Sequence, residues 1–143
     1  MSRKEIILLK EYCKNKPGIL LAYLFGSSAS RVGGWKKRKD VDVAILLKEE
    51  EVKEGILPVQ TKIFSALRKL LKRSDIDVII LNESSLLLKH EVIKNGEVLF
   101  EKHPETRYNF EVNSELKYYD FEPYRNFFWE FLKKKIRGGI IND

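Results

Sequence analysis

Gly26 and Ser27 close an apolar run, Leu20 to Phe25, and after a basic loop a second apolar run opens through Asp40 and Asp42. Side chains two apart on a strand project from the same face, so this pair presents two carboxylates side by side. Adjacent carboxylates raise each other's pKa unless a cation lies between them, so the pair reads as a divalent-metal site. A third apolar run, Val78 to Leu81, is opened by Asp77, with Asp75 two residues earlier. Mg²⁺ takes carboxylate and phosphate oxygens with water completing its shell, so Asp40, Asp42 and Asp77 suit a cation that holds a phosphate-bearing ligand. Asp77 is the preferred third carboxylate because it abuts the apolar run. Asp75, following Ser74, fits turn chemistry and is held in reserve.

If these residues share one site, the elements carrying them are constrained. Gly26-Ser27 sits at the exit of its strand and Asp42 at the start of the next, so those two strands run antiparallel. Asp77 joins them only if its strand is parallel to the Asp42 strand, which requires a crossover, usually a helix. Val59, Ile63, Leu67 and Leu70 supply that helix at roughly helical spacing, from a start marked by Pro58. Ser27 to Arg31 fits a short helix start whose free N–H groups receive a phosphate.

Elsewhere the chain alternates elements. Ser2 and Glu5 form a capping-box signature for a helix over residues 2 to 14, with Ile6, Leu9 and Cys13 as its apolar stripe. Ser84 is placed to cap a helix from Leu86 to Lys94, stopped at Asn95-Gly96, and Glu97 to Glu101 reads as an edge strand. Pro123 fits the first turn of a C-terminal helix in which Phe127, Phe128, Phe131, Leu132 and Ile136 share one side, stopped by Arg137-Gly138-Gly139. Ten of the chain's 16 aromatic residues fall between Tyr108 and Phe131. They read as cover for the sheet, a symmetric dimer contact or a partner surface. His90 and His103 have no second histidine or cysteine at ligand spacing and read as ordinary polar positions.

Gly26-Ser27, Asp40-x-Asp42 and a lone Asp77 opening a later strand resemble the signature of the DNA polymerase beta superfamily in its small form, the minimal nucleotidyltransferases. The run from Val78 to Glu101 and Tyr119-Asp120-Phe121 more narrowly resemble the MntA antitoxins that accompany HEPN-domain HepT toxins. The resemblance implies that Asp40, Asp42 and Asp77 hold Mg²⁺ and carry catalysis, with Asp77 orienting or deprotonating an acceptor hydroxyl. It implies that Gly26, Ser27 and Arg31 bind the nucleotide, with ATP as donor and a tyrosine of a HepT-like ribonuclease as acceptor of AMP. The twelve residues Ser28 to Lys39 make a longer loop than the family pattern, and within it Trp35, Lys36, Lys37, Arg38 and Lys39 are either a solvated rim or helpers that neutralise phosphate charge.

A length of 143 residues bounds the chain to one domain, with a core over about 18–101 and a helical segment over about 104–137. The fold expected is α/β (α+β), a small mixed sheet with helices packed on it. A formal charge of +6 admits polyphosphate, nucleic acid or an acidic protein and does not choose among them. One cysteine excludes an intramolecular disulfide and a multi-cysteine zinc site. No run reaches the roughly 20 apolar residues that span a bilayer, and the amino-terminal residues lead into an amphipathic helix rather than a signal peptide, so a cytoplasmic protein is expected. Direct nucleic-acid binding is not expected, because the basic residues cluster after the rings instead of interleaving with them. Beside the protein adenylyltransferase stand two alternatives: a module that neutralises a HEPN partner by docking, and a small-molecule nucleotidyltransferase. Homo-oligomerisation is open.

Overall fold

The Ser2 capping box forms as expected: Ser2 Oγ accepts from the Glu5 amide at 3.2 Å and the Glu5 carboxylate accepts from the Ser2 amide at 3.0 Å, starting α1 (Arg3–Lys14). The structure is a computed structural model that describes residues 1–26 and 41–142. After α1 come β1 (Ile19–Phe25), β2 (Val41–Leu47), a 3₁₀ turn (Glu49–Val52), α2 (Ile56–Leu71) and β3 (Ile76–Ile80). A second 3₁₀ turn (Leu81–Glu83), α3 (Leu86–Asn95), β4 (Glu97–Glu101) and α4 (Pro104–Asn142) follow.

The four strands form one mixed sheet in the order β3-β2-β1-β4. β1 is antiparallel to β2 and β4, while β2 and β3 are parallel neighbours joined by α2. The orientations inferred from the acids and Gly26 are those the fold adopts. Among the described residues β4 pairs with β1 alone and forms one edge of the sheet, with β3 at the other.

Alternation along the strands divides the interior into two layers. Val43, Ile45, Val78 and Leu99 pack with Leu9 and Cys13 of α1 and Ile63 and Leu67 of α2. Leu21, Tyr23, Phe25 and Ala44 form the opposite layer with Leu81 and Val92, and Phe110 of α4 packs against them. The central strand β2 is buried on both sides, which explains its uninterrupted apolar run.

Three boundaries differ from expectation. α2 begins at Ile56 rather than Pro58, leaving the proline in the first turn, where its missing N–H breaks no intrahelical bond. Ser85, not Ser84, caps α3 by accepting from the Leu88 amide at 3.1 Å. Ser84 Oγ is committed to the Ile80 carbonyl at 2.8 Å. The C-terminal segment is one helix from Pro104 to Asn142, with Pro123 in its interior and Gly138-Gly139 within it. Proline removes one bond to the carbonyl four residues back, and the turns before it are already held by packing around Phe110 and Tyr118, so the helix propagates through.

Candidate active site

The register places the acids. Phe25 lies opposite Asp42 across the β1–β2 pair, and Asp42 lies opposite Asp77 across the β2–β3 pair. Cross-strand partners point to the same face, so Asp42 and Asp77 project together on the side covered further along by α3 and α4. Gly26 follows Phe25 directly and reaches the same end of the sheet. Among the described residues, a Cβ added at Gly26 would meet nothing within 4 Å.

The two carboxylates differ in environment. Asp42 is 4% exposed, whereas Asp77 is open to solvent at the sheet end. A recessed carboxylate beside an accessible one is a donor set suited to a hard cation on the inner side and a reactant on the outer. Asp40, Ser27 and Arg31, expected at the same site, lie outside the described residues, as do Trp35, Lys36, Lys37, Arg38 and Lys39. Among the described residues no cluster of three metal-ligating side chains forms.

Asp75 is occupied elsewhere. Arg73 grips both its carboxylate oxygens, at 2.7 and 2.6 Å, and also reaches Glu5 on α1 at 3.2 Å. The guanidinium holds the Asp75 carboxyl below its ordinary pKa. The Glu5 carboxyl is also lowered, chiefly by the Ser2 amide and further by Arg73. The Asp75 carbonyl also accepts the Val41 amide at 2.9 Å, fixing where β2 and β3 begin to pair. The reserve carboxylate is therefore a clip between α1 and the turn before β3.

Two groupings on the acidic face escaped the reading of the sequence. Tyr23, two residues before Phe25, is 1% exposed and donates its hydroxyl to Glu111 of α4 at 2.6 Å. Burial and the neighbouring carboxylate push its pKa well above the ordinary range. The signal was a tyrosine inside a strand buried on both faces, whose hydroxyl needs a partner. His90 of α3 stacks on Tyr118 of α4 at 3.9 Å between centroids, and its Nδ1 lies 2.9 Å from Glu115. It is a helix–helix contact rather than an isolated polar position, and no spacing rule predicts a pairing across 25 residues.

The Polymerase beta nucleotidyltransferase family matches residues 8–105, which include all four strands and the acids. The chain belongs to that family. Solved structures extend the likeness beyond the matched span. The nucleotidyltransferase superposes with a TM-score of 0.71 on a chain from the structure of tri-AMPylated Shewanella oneidensis HEPN toxin in complex with MNT antitoxin, at 21% identity, covering 93% of this chain and 99% of that one. A chain from the toxin–antitoxin MntA-HepT matches at TM-score 0.65 and 24% identity, with 91% and 94% covered. A chain from a toxin–antitoxin structure with AMP-PNP matches at TM-score 0.63 and 25% identity, with 93% and 99% covered. No curated protein matches the chain. No helix among the described residues of the nucleotidyltransferase is long and apolar enough to cross a membrane.

Proposed function

We propose that this nucleotidyltransferase transfers AMP from ATP to a tyrosine of a HEPN-family toxin and acts as that toxin's antitoxin. The observation that carries the reading is the Asp42–Asp77 register at the sheet end beside Gly26. Support for the partner comes from the structural neighbours, which are described as HEPN–MNT and MntA-HepT complexes, one with an AMPylated toxin and one with AMP-PNP. Residues 18–101 form the catalytic core in this reading, and 104–142 the helical segment beside it.

In this assignment Asp42 and Asp77, with Asp40, hold Mg²⁺. The ion supplies charge neutralisation at the phosphates and Lewis-acid activation of the α-phosphate when bound. Gly26, with Ser27, presents backbone N–H groups to the β and γ phosphates, and Arg31 adds a cation. Asp77, the accessible carboxylate, accepts the proton of the acceptor hydroxyl. That oxygen attacks the α-phosphorus, the bond from the α-phosphorus to the bridging oxygen breaks, and pyrophosphate leaves. The product is an O-adenylyl tyrosine.

The test is intact-mass analysis of a HEPN-type partner after incubation with this chain, Mg²⁺ and each nucleoside triphosphate in turn. The expected result is AMP-sized increments with ATP, lost on adding EDTA and absent with Asp42→Asn. Peptide mapping then locates the adduct. A stable complex without any mass increment would replace transfer by the docking reading.

A further inference from the structure

The proximal part of α4 packs on the sheet and α3 through Phe110, Glu111, Glu115 and Tyr118. Beyond Asp120 the helix leaves that support. Phe121, Tyr124, Phe127, Phe128, Trp129 and Phe131 are 47, 70, 74, 56, 56 and 51% exposed. Phe121, Tyr124, Phe128 and Phe131 recur at i, i+3, i+7 and i+10, so they form one stripe along the helix, with Phe127 at its flank and Trp129 turned away from it. Glu122, Asn126, Glu130 and Lys133 line the opposite side, where Glu130 and Lys133 pair at 3.6 Å. Among the described residues, nothing of the chain covers this apolar face.

We propose that this stripe is a self-association surface, through which two copies of the chain pair antiparallel along the distal half of α4. Two observations select a second copy. The first is area: aromatic side chains carry about 150–250 Å² each, so the five rings of the stripe and its flank, 47 to 74% exposed, present on the order of 600 Å² per copy. Two copies then bury about 1,200 Å², the lower bound for a stable specific interface. The second is charge. Asp120 stands at the start of the stripe, and Lys134 and Lys135 at its end, all on or beside the apolar face. An antiparallel pair centred near Phe128 brings Asp120 of each copy beside Lys134 and Lys135 of the other, whereas a parallel pair sets like against like. The surface is thus complementary to itself about a two-fold axis. This inference does not depend on the acceptor or on the transfer reaction.

Sedimentation equilibrium of the full chain tests it. Wild type sediments as a dimer across the micromolar range, and Phe128→Glu, a change at an exposed ring that leaves the core alone, raises the dissociation constant at least about thirtyfold. Single cysteines fix the direction, because Cys13 is buried and its thiol pKa is pushed up to about 12. Under a mild thiol oxidant Phe128→Cys, near the axis, crosslinks to its equivalent, whereas Phe121→Cys does not. Crosslinking of both variants overturns the antiparallel arrangement. A wild type that stays monomeric at every concentration overturns the proposal. So does a monomer whose complex with a HEPN-type protein is lost in Phe128→Glu, since the occupant is then that protein.

Discussion

Asp77 and Asp75 are two residues apart and of one chemical type, yet they have different work. Asp77 stands in register with Asp42 at the sheet end, whereas Asp75 is clasped by Arg73. Asp77→Asn keeps the size and the strand and removes the charge and, in the proposed reaction, the proton acceptor, so transfer is expected to fall by about 10²–10⁴-fold. Its urea midpoint stays at the wild-type value, because the side chain is exposed. Asp75→Asn gives the reverse pattern: transfer near wild type and a lower midpoint. Single-turnover assays beside chemical denaturation separate the two.

At the scale of elements, two polar contacts seat helices. Arg73 bridges the turn before β3 to α1 through Asp75 and Glu5, both of whose carboxyl pKa values are lowered in the fold. A lowered folded-state value means that the unfolded chain binds more protons in that range, so the stabilisation is present at neutral pH. It is lost as pH falls below about 4. Arg73→Met is therefore less stable than wild type at pH 7, and the gap closes progressively on acidification, as denaturant titrations at a series of pH values will read. The Tyr23 hydroxyl performs the comparable role for α4. Tyr23→Phe leaves the ring and its packing against Phe110 but strips the Glu111 carboxylate of its donor. The expected loss is about 1–2 kcal/mol in urea unfolding.

For the molecule as a whole, the interior ends well before the chain does. The apolar layers close around Phe110, the contacts of α4 with His90 of α3 run through Glu115, Tyr118 and Tyr119, and the rings from Phe121 on stand exposed. A chain ending at Asp120 keeps every one of those contacts. It unfolds cooperatively, with a midpoint that does not change with protein concentration, whereas that of the self-associating wild type rises with it. Calorimetry of the two chains checks this.

Strand directions, and the end of the sheet to which Gly26, Asp42 and Asp77 come, were legible in the sequence. Side-chain alternation has a period of two and each strand has one direction, so Gly26 at an exit and Asp42 and Asp77 near entrances admit few topologies. The α1 start was legible too, because the Ser2–Glu5 box acts within four residues. Tertiary structure decided the rest. Pairing Asp42 with Asp77 depends on a hydrogen-bond ladder that the Asp75 carbonyl helps set. The Tyr23–Glu111 and His90–Tyr118 contacts join residues 88 and 28 apart, beyond any local spacing rule. Pro123 was read as a helix start because local propensity favours one there, and packing earlier in α4 outweighed it. Local chemistry acts over a turn or a strand, whereas contacts across the core choose which side chains meet.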